Sequence, residues 1–379
     1  MIPLSNPDIT DSEKSAVCEV LNTNHLSSGP KISEFEKEIR EFTGVKYAIS
    51  MSSGTAVLHT IIRSLGIKKG DFILTTSFSF ISSSNCLLFE DARPIFVEID
   101  PDTYNLTPEN VEKKYISLPN NIKEKTKGIL YVDTFGNPAD GEGFEELGKK
   151  YNLFVIEDSA EALGSSINNR KCGSFGNAAL FAFYPNKQIT TGEGGILLCN
   201  DKRISEFAKS FRNLGRIEIN DVTLFERLGY NYRMSDINAS LGIAQMSRIN
   251  ELISKRRNVK KIYDNYFEQL FLKKVLFPQK ILGNVFFNPF VYVIRLSKDF
   301  DSFCRNNIIE ELKAKGIQCK AYFPPIHLQN HFKKFGWRKN DFPVTESISD
   351  RTIALPFYNN LSEEKIEYIY NTILTILKY

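Results

Sequence analysis

The sequence predicts an α/β protein with two parts, a large domain built on a mostly parallel sheet of about seven strands and a smaller C-terminal α/β domain. Three observations carry this reading. Short apolar runs alternate with helix-patterned stretches, in the order of strand-helix-strand units. The runs are apolar on both faces, as strands covered by helices on each side must be. The length of 379 residues exceeds that at which a single core stops growing, so two closely packed domains, residues 1–250 and 251–379, are expected around one cleft.

The elements follow in order. Thr10-Asp-Ser-Glu13 and Ser33-Glu-Phe-Glu36 both have the capping-box form that opens a helix, and Ile32, Phe35, Ile39 and Phe42 recur at helical spacing around the second. Strands are read at Tyr47–Ser50, Phe72–Thr75, Pro94–Ile99, Gly128–Asp133, Leu153–Ile156, Ala178–Phe183 and Gly195–Cys199. A helix is expected from Ala56 to Leu65 and a long one from about Ser235 to Leu272. Beyond it strand and helix patterns alternate differently, which marks the smaller domain. No internal repeat, low-complexity tract or Pro/Ser-rich linker separates the two.

Composition narrows the function classes. A net charge of +3 from 48 basic and 45 acidic residues makes no nucleic-acid footprint, and Lys255-Arg-Arg-Asn-Val-Lys-Lys261 reads as a solvated helix face. No segment approaches the roughly 20 apolar residues needed to cross a bilayer. Met1-Ile-Pro-Leu-Ser-Asn-Pro7 has no basic region followed by an apolar core, so a cytoplasmic protein without a membrane partner is expected. Six scattered cysteines lack any Cys-x-x-Cys pair, so neither a metal site nor a disulfide framework is indicated.

The chemistry lies in two segments. Lys187 sits in Phe181-Ala-Phe-Tyr-Pro-Asn-Lys187-Gln-Ile-Thr-Thr-Gly-Glu-Gly-Gly195, and Asp158 closes the apolar run Leu153-Phe-Val-Ile-Glu-Asp158. Either alone reads as a surface lysine beside a glycine turn or as a helix-capping aspartate. Together they suggest a pyridoxal phosphate enzyme. A primary amine can form a Schiff base with an aldehyde cofactor, while a buried carboxylate keeps the pyridine nitrogen protonated so that the ring withdraws electrons.

Four ordered motifs then resemble one family. Ser52-Ser-Gly-Thr-Ala-Val-Leu-His59, Ile156-Glu-Asp-Ser-Ala-Glu-Ala-Leu-Gly164, Tyr184-Pro-Asn-Lys-Gln-Ile-Thr-Thr-Gly-Glu-Gly-Gly195 and Gly229-Tyr-Asn-Tyr-Arg-Met-Ser-Asp236 are similar to the DegT/DnrJ/EryC1/StrS nucleotide-sugar aminotransferases. The resemblance covers nearly the whole chain and implies the fold-type-I aspartate aminotransferase architecture. It implies Lys187 and Asp158 as catalytic residues. Ser53, Gly54 and Thr55, between a strand and a helix, would hold the cofactor phosphate with free backbone N–H groups at the positive end of the helix dipole. Phe80 rather than the neighbouring Phe78 would stack on the pyridine ring, and Asn231 would reach the phosphate of a neighbouring subunit, which implies a homodimer with shared sites. Glu161, Tyr322 and His327 would line the sugar pocket, with Glu161 also touching the cofactor.

Two departures qualify the resemblance. Ala182 stands where the family has a phosphate-binding serine. Glu161 and Asp133 stand where many relatives have glutamine and histidine. Glu161, with the Asn-Lys-x-Ile-Thr-Thr-Gly-Glu-Gly-Gly run, looks more like the perosamine-type members that aminate C4 of a 4-keto-6-deoxy sugar. The implied reaction is a ping-pong transamination from glutamate, released as 2-oxoglutarate, to a nucleotide-linked keto sugar. Amination at C3, a sugar dehydratase on the same scaffold and a non-catalytic regulatory relative are the alternatives, and Lys187 and Asp158 weigh against the last two.

Overall fold

The computed structural model describes residues 1–378. Its central sheet takes strands β1 (Tyr47–Met51), β2 (Phe72–Thr76), β3 (Arg93–Val97), β4 (Thr126–Val132) and β5 (Phe154–Asp158). The short strands β6 (Ser166–Ile167) and β7 (Arg170–Lys171) form a side hairpin, and β8 (Ala178–Ala182) and β9 (Gly195–Cys199) return to the sheet. The order is β1-β9-β8-β5-β4-β2-β3, and only β9 runs against the rest, pairing antiparallel with β1 and β8. The seven strands expected from the apolar runs all join this sheet.

Helices cover both faces, which is why the strands are apolar on each side. They are α1 (Asp11–Leu21), α2 (Pro30–Thr43), α3 (Gly54–Ser64), α4 (Ser82–Leu88), α5 (Pro108–Ser117), α6 (Asn120–Lys123), α7 (Gly141–Tyr151), α8 (Lys202–Phe211), α9 (Asp236–Ser247) and α10 (Ile249–Leu272). Alternation along each strand sorts the contacts. Leu130 of β4 and Leu180 of β8 meet Val57, Leu58 and Ile61 of α3, whereas Ala179 and Phe181 of β8 meet Phe35 and Ile39 of α2 on the other side.

Two expectations about helices need correction. Ser33 does not cap a helix: α2 begins at Pro30 after Gly29, and the Asp236 carboxylate of α9 accepts from Gly29 N at 2.6 Å and Lys31 N at 2.9 Å. The run from Ser235 to Leu272 is two helices, because Arg248 leaves helical geometry (φ −106°, ψ 10°) while its guanidinium binds Asp8, Glu13 and Glu251. The capping box at Thr10 and Glu13 forms as expected.

After α10 come β12 (Leu276–Pro278), β13 (Val285–Phe286), β14 (Tyr292–Leu296) and β15 (Thr352–Leu355), with helices α11 (Ser302–Ala314), α12 (Asn330–Lys333), α13 (Pro343–Ser349) and α14 (Glu363–Leu377). Strands β12, β14 and β15 form an antiparallel sheet, and β13 pairs with β6. Packed on that sheet are Tyr263 and Phe267 of α10, Ile308 and Leu312 of α11, and Ile366 and Ile369 of α14. The chain start joins the same layer through Ile2, which bridges Ile317. The hairpin strands β10 (Arg216–Ile219) and β11 (Val222–Phe225) stand apart from both sheets, with Val222, Leu224 and Phe225 exposed.

One buried acid pair lies beneath the strand ends. Asp133 accepts from Ala139 N (2.8 Å) and Ser159 Oγ (2.6 Å), and Glu157 from Gly173 N and Phe175 N (both 2.9 Å). Among the described residues neither forms a salt bridge. Burial, with the neighbouring Asp133 charge as a second cause, pushes Glu157 well above the usual carboxylate range, and burial pushes Asp133 up to about 6. Folded-state values above the unfolded ones mean that this stabilisation is complete at acid pH and is lost as pH rises through about 6. Asp133→Asn should therefore raise the melting temperature near pH 8 by about 2 °C or more and change it little near pH 4.5. Equal shifts at both pH values would contradict a titrating pair.

Candidate active site

The C-terminal ends of β1, β2, β4, β5 and β8 open toward one side of the sheet, where ligands of open α/β sheets bind. Each following segment brings one part of the site. After β1, Ser53 adopts extended backbone (φ −165°, ψ 161°) and caps α3, its Oγ accepting from Ala56 N at 3.1 Å. Among the described residues the first-turn N–H groups of Gly54 and Thr55 have no protein acceptor, as expected at a helix start, where an anion can bind. Thr55 Oγ1 lies 3.0 Å from Ser82 Oγ at the start of α4. A Cβ on Gly54 would stand 2.9 Å from the Ala182 Cβ, and one on Gly195 would stand 2.7 Å from Gly54 N, so this turn sits tightly on β8 and β9.

Asp158 ends β5 and is buried. Ser83 Oγ donates to its Oδ2 at 2.7 Å and Ala160 N to its Oδ1 at 3.1 Å. Burial raises its pKa above the usual carboxylate range, and Ser83, Ala160 N and the Lys187 charge draw it partly back. Lys187 lies on the loop between β8 and β9, which is closed by Lys187 N to Tyr184 O (2.9 Å) and Thr191 N to Phe183 O (3.0 Å). Gly192, at φ +78°, supplies the left-handed residue in that loop.

The Lys187 amine turns inward. Its Nζ is 3.4 Å from Glu161 Oε1 and 4.2 Å from the centre of the Phe290 ring. Glu161 Oε2 accepts from Phe135 N at 3.0 Å, and the Gln188 amide donates to the Glu161 carbonyl. Burial raises the Glu161 pKa as well, with Lys187 the chief opposing influence. One amine thus serves two buried carboxyl groups. Among the described residues Asp158 has no salt-bridge partner of its own, which is the deficit that a protonated pyridine nitrogen would fill. The residues present fit pyridoxal phosphate: Asp158 would face the ring nitrogen, Lys187 the aldehyde and the α3 start the phosphate.

The remaining expected residues divide. Phe80 is 60% exposed and lies two residues before α4 starts at Ser82, whereas Phe78 is fully buried against Tyr104, Phe135 and Phe323. Tyr322 is half-buried, its ring stacked on Phe323 (centroids 4.8 Å apart), and burial together with the Glu161 charge pushes its hydroxyl up to about 12. His327 lies in the interior. It is fully buried, with Nδ1 2.7 Å from Ser77 Oγ and Nε2 3.1 Å from Glu346 Oε1, so both ring nitrogens are occupied in joining the loop after β2 to α13. Asn231 is exposed and bridges Asn213, next to the β10–β11 hairpin. Sequence reasoning missed Ser83 and Phe290. The first is hidden within a run of three serines, and the second comes from a distant segment with no motif around it.

This fold and this crevice define a pyridoxal-phosphate-dependent aminotransferase. The comparison with known proteins agrees: the chain matches the sequence pattern of the DegT/DnrJ/EryC1/StrS aminotransferase family over residues 7–374, and it belongs to that family. It is 33% identical to GDP-perosamine synthase of Escherichia coli O157:H7 across 98% of this chain and 97% of that protein. Among solved structures, Helicobacter pylori PseC, an aminotransferase involved in the biosynthesis of pseudoaminic acid, superposes with a TM-score of 0.92 at 30% identity, over 100% of this chain and 99% of that one. The putative sugar aminotransferase Spr1654 of Streptococcus pneumoniae in its PLP form superposes at 0.91 with 26% identity, over 100% and 98% of the two chains.

The Ser83 contact can be tested directly. Hydrogen bonds to charged groups contribute roughly 1.5–3 kcal/mol, so Ser83→Ala should weaken pyridoxal phosphate binding about tenfold while the fold persists. An unchanged dissociation constant in a cofactor titration would show that Ser83 does not hold Asp158 for the cofactor.

Proposed function

We propose that this aminotransferase moves the amino group of glutamate onto C4 of a nucleotide-linked 4-keto-6-deoxy sugar, releasing 2-oxoglutarate and making an amino sugar for a polysaccharide or glycoconjugate. The observation that carries the reading is the buried convergence of the Lys187 amine with Glu161, in a crevice that also holds Asp158. Pyridoxal phosphate, when bound, supplies the electron sink. Asp158 holds the ring nitrogen in its protonated form, an attraction of roughly 4 kcal/mol for unit charges 4 Å apart at an effective dielectric of 20. Lys187 Nζ takes the proton from the α-carbon of glutamate and, in the second half-reaction, delivers one to the sugar carbon that receives nitrogen. Glu161 and Phe290 restrict where the amine can swing, and burial of the three polar groups excludes water from the proton transfer.

The sugar class is supported by the relative named GDP-perosamine synthase and by Glu161 with the Asn186-to-Gly195 run. A dehydratase of the same scaffold carries histidine at the lysine position, which Lys187 disfavours. A homodimer with shared sites is supported by the exposed Asn231 beside a hairpin that presents Val222, Leu224 and Phe225 to solvent, since such apolar patches mark protein interfaces.

With purified protein, glutamate should bleach the visible band of the bound cofactor, and within a panel of nucleotide-linked keto sugars a 4-keto-6-deoxy sugar should restore it. Restoration only by a 3-keto sugar would move the amination site, and a band that glutamate leaves untouched would refute transamination. Lys187→Ala should fold but fail to bleach; normal turnover in that variant would remove the assignment. Asn231→Ala should weaken cofactor retention by about tenfold if it reaches the partner's phosphate, as expected for one lost charge-assisted hydrogen bond.

A further inference from the structure

His59 is buried on α3, five residues past Gly54 and on the same helix whose start faces the anion seat. Its Nε2 lies 2.9 Å from Glu90 Oε1, and Arg63 pairs with the other oxygen of that carboxylate. Its Nδ1 lies 3.0 Å from the Tyr232 hydroxyl. A carboxylate only accepts, so Nε2 donates to Glu90, and the hydrogen bond between Nδ1 and the Tyr232 hydroxyl completes a chain from Glu90 to Tyr232. Four aromatic rings, Phe89, Phe211, Tyr230 and Tyr232, meet the imidazole edge-on at 5.1–5.9 Å between centroids.

Tyr232 is bound a second time through its backbone. Its carbonyl accepts from Ser52 N at 2.8 Å, immediately before Ser53, while Tyr230 N and Tyr232 N bond to Phe211 O (2.8 Å) and Arg212 O (2.9 Å). Residues 230–232 are therefore an extended strip stitched to the end of α8 on one side and to the anion-binding turn on the other. In extended chain successive side chains point to opposite sides. Tyr230 and Tyr232 stack on each other at 5.1 Å against His59, and Asn231 between them is directed outward, where it is exposed.

We propose that His59, held by Glu90, is a positioning residue for the cofactor phosphate. Through Tyr232 it clamps the strip that carries Asn231 to the turn at Ser52 and Ser53, so the two phosphate-binding segments are set by one buried hydrogen-bond chain. His59 touches no cofactor itself. The inference rests on residues 53–55 being the phosphate seat, as the functional reading has it.

The test is a pyridoxal phosphate titration of the full-length protein and its variants, followed by cofactor absorbance, with thermal melts alongside. Tyr232→Phe removes a single oxygen and His59→Leu removes both ring nitrogens. Each should raise the dissociation constant about tenfold, the effect of one lost buried hydrogen bond, and the double variant should bind no worse than the weaker single one. His59→Asn, whose amide can reach the Tyr232 hydroxyl, should recover most of the affinity lost in His59→Leu. Parent-like affinity in Tyr232→Phe, or additive losses in the double variant, would overturn the clamp. If His59→Leu does not fold, Tyr232→Phe decides alone. Thr55→Pro, which removes one first-turn N–H at a position where a helix tolerates proline, separates this from the parent reading: weakened binding there with parent-like Tyr232→Phe defeats only the clamp, and parent-like binding in Thr55→Pro defeats the phosphate seat and the clamp with it.

Discussion

The structure depends on keeping two carboxyl groups and one amine together out of water. Asp158 and Glu161 are each pushed toward the neutral form by burial, and Lys187 opposes that for both. A charge in such a place is tolerated only when hydrogen-bonded and paired. Every nearby element follows from that demand. Ser83 and Ala160 N satisfy Asp158, Phe135 N satisfies Glu161, and the Phe290 ring gives the Lys187 amine an apolar wall that still favours a cation. An aldehyde cofactor with a protonated ring nitrogen brings the positive charge that this arrangement leaves room for.

The fold supplies the convergence. Asp158 ends β5, Lys187 follows β8, Ser53 follows β1 and Ser83 lies just beyond β2, so four strands fix four side chains whose sequence positions are widely separated. The tight contacts of Gly54 and Gly195 seat the start of α3 on β8 and β9, and Ala182 lies in that contact. A serine-to-alanine difference at this position therefore falls where the turn is already held by packing. Under the proposed function the start of α3, at Gly54 and Thr55, would take the phosphate.

Much of this was legible in the residues, because the signals were local. Apolar runs two-sided in character located every strand of the main sheet, and the expected residues Ser53, Asp158 and Lys187 all lie at or beyond the C-terminal ends of its strands. What sequence did not disclose came from contacts between distant segments. Gly29 and Lys31 receive their cap from Asp236 rather than from a neighbour, so the capping-box reading at Ser33 failed. Arg248 breaks a helical run because Asp8 and Glu13 bind it from the chain start. His327 followed a turn motif and looked functional, but Ser77 and Glu346 occupy both of its nitrogens. Phe290 had no motif and still lies with its ring 4.2 Å from the Lys187 amine.

The central claim, that Lys187 is the residue facing the aldehyde of the cofactor, has one direct test: borohydride reduction of the pyridoxal phosphate-loaded protein, followed by peptide mass mapping. The account predicts the cofactor mass fixed on the peptide that contains Lys187 and on no other. Reduction that labels a different lysine, or that leaves the Lys187 peptide unmodified in fully loaded protein, would contradict it.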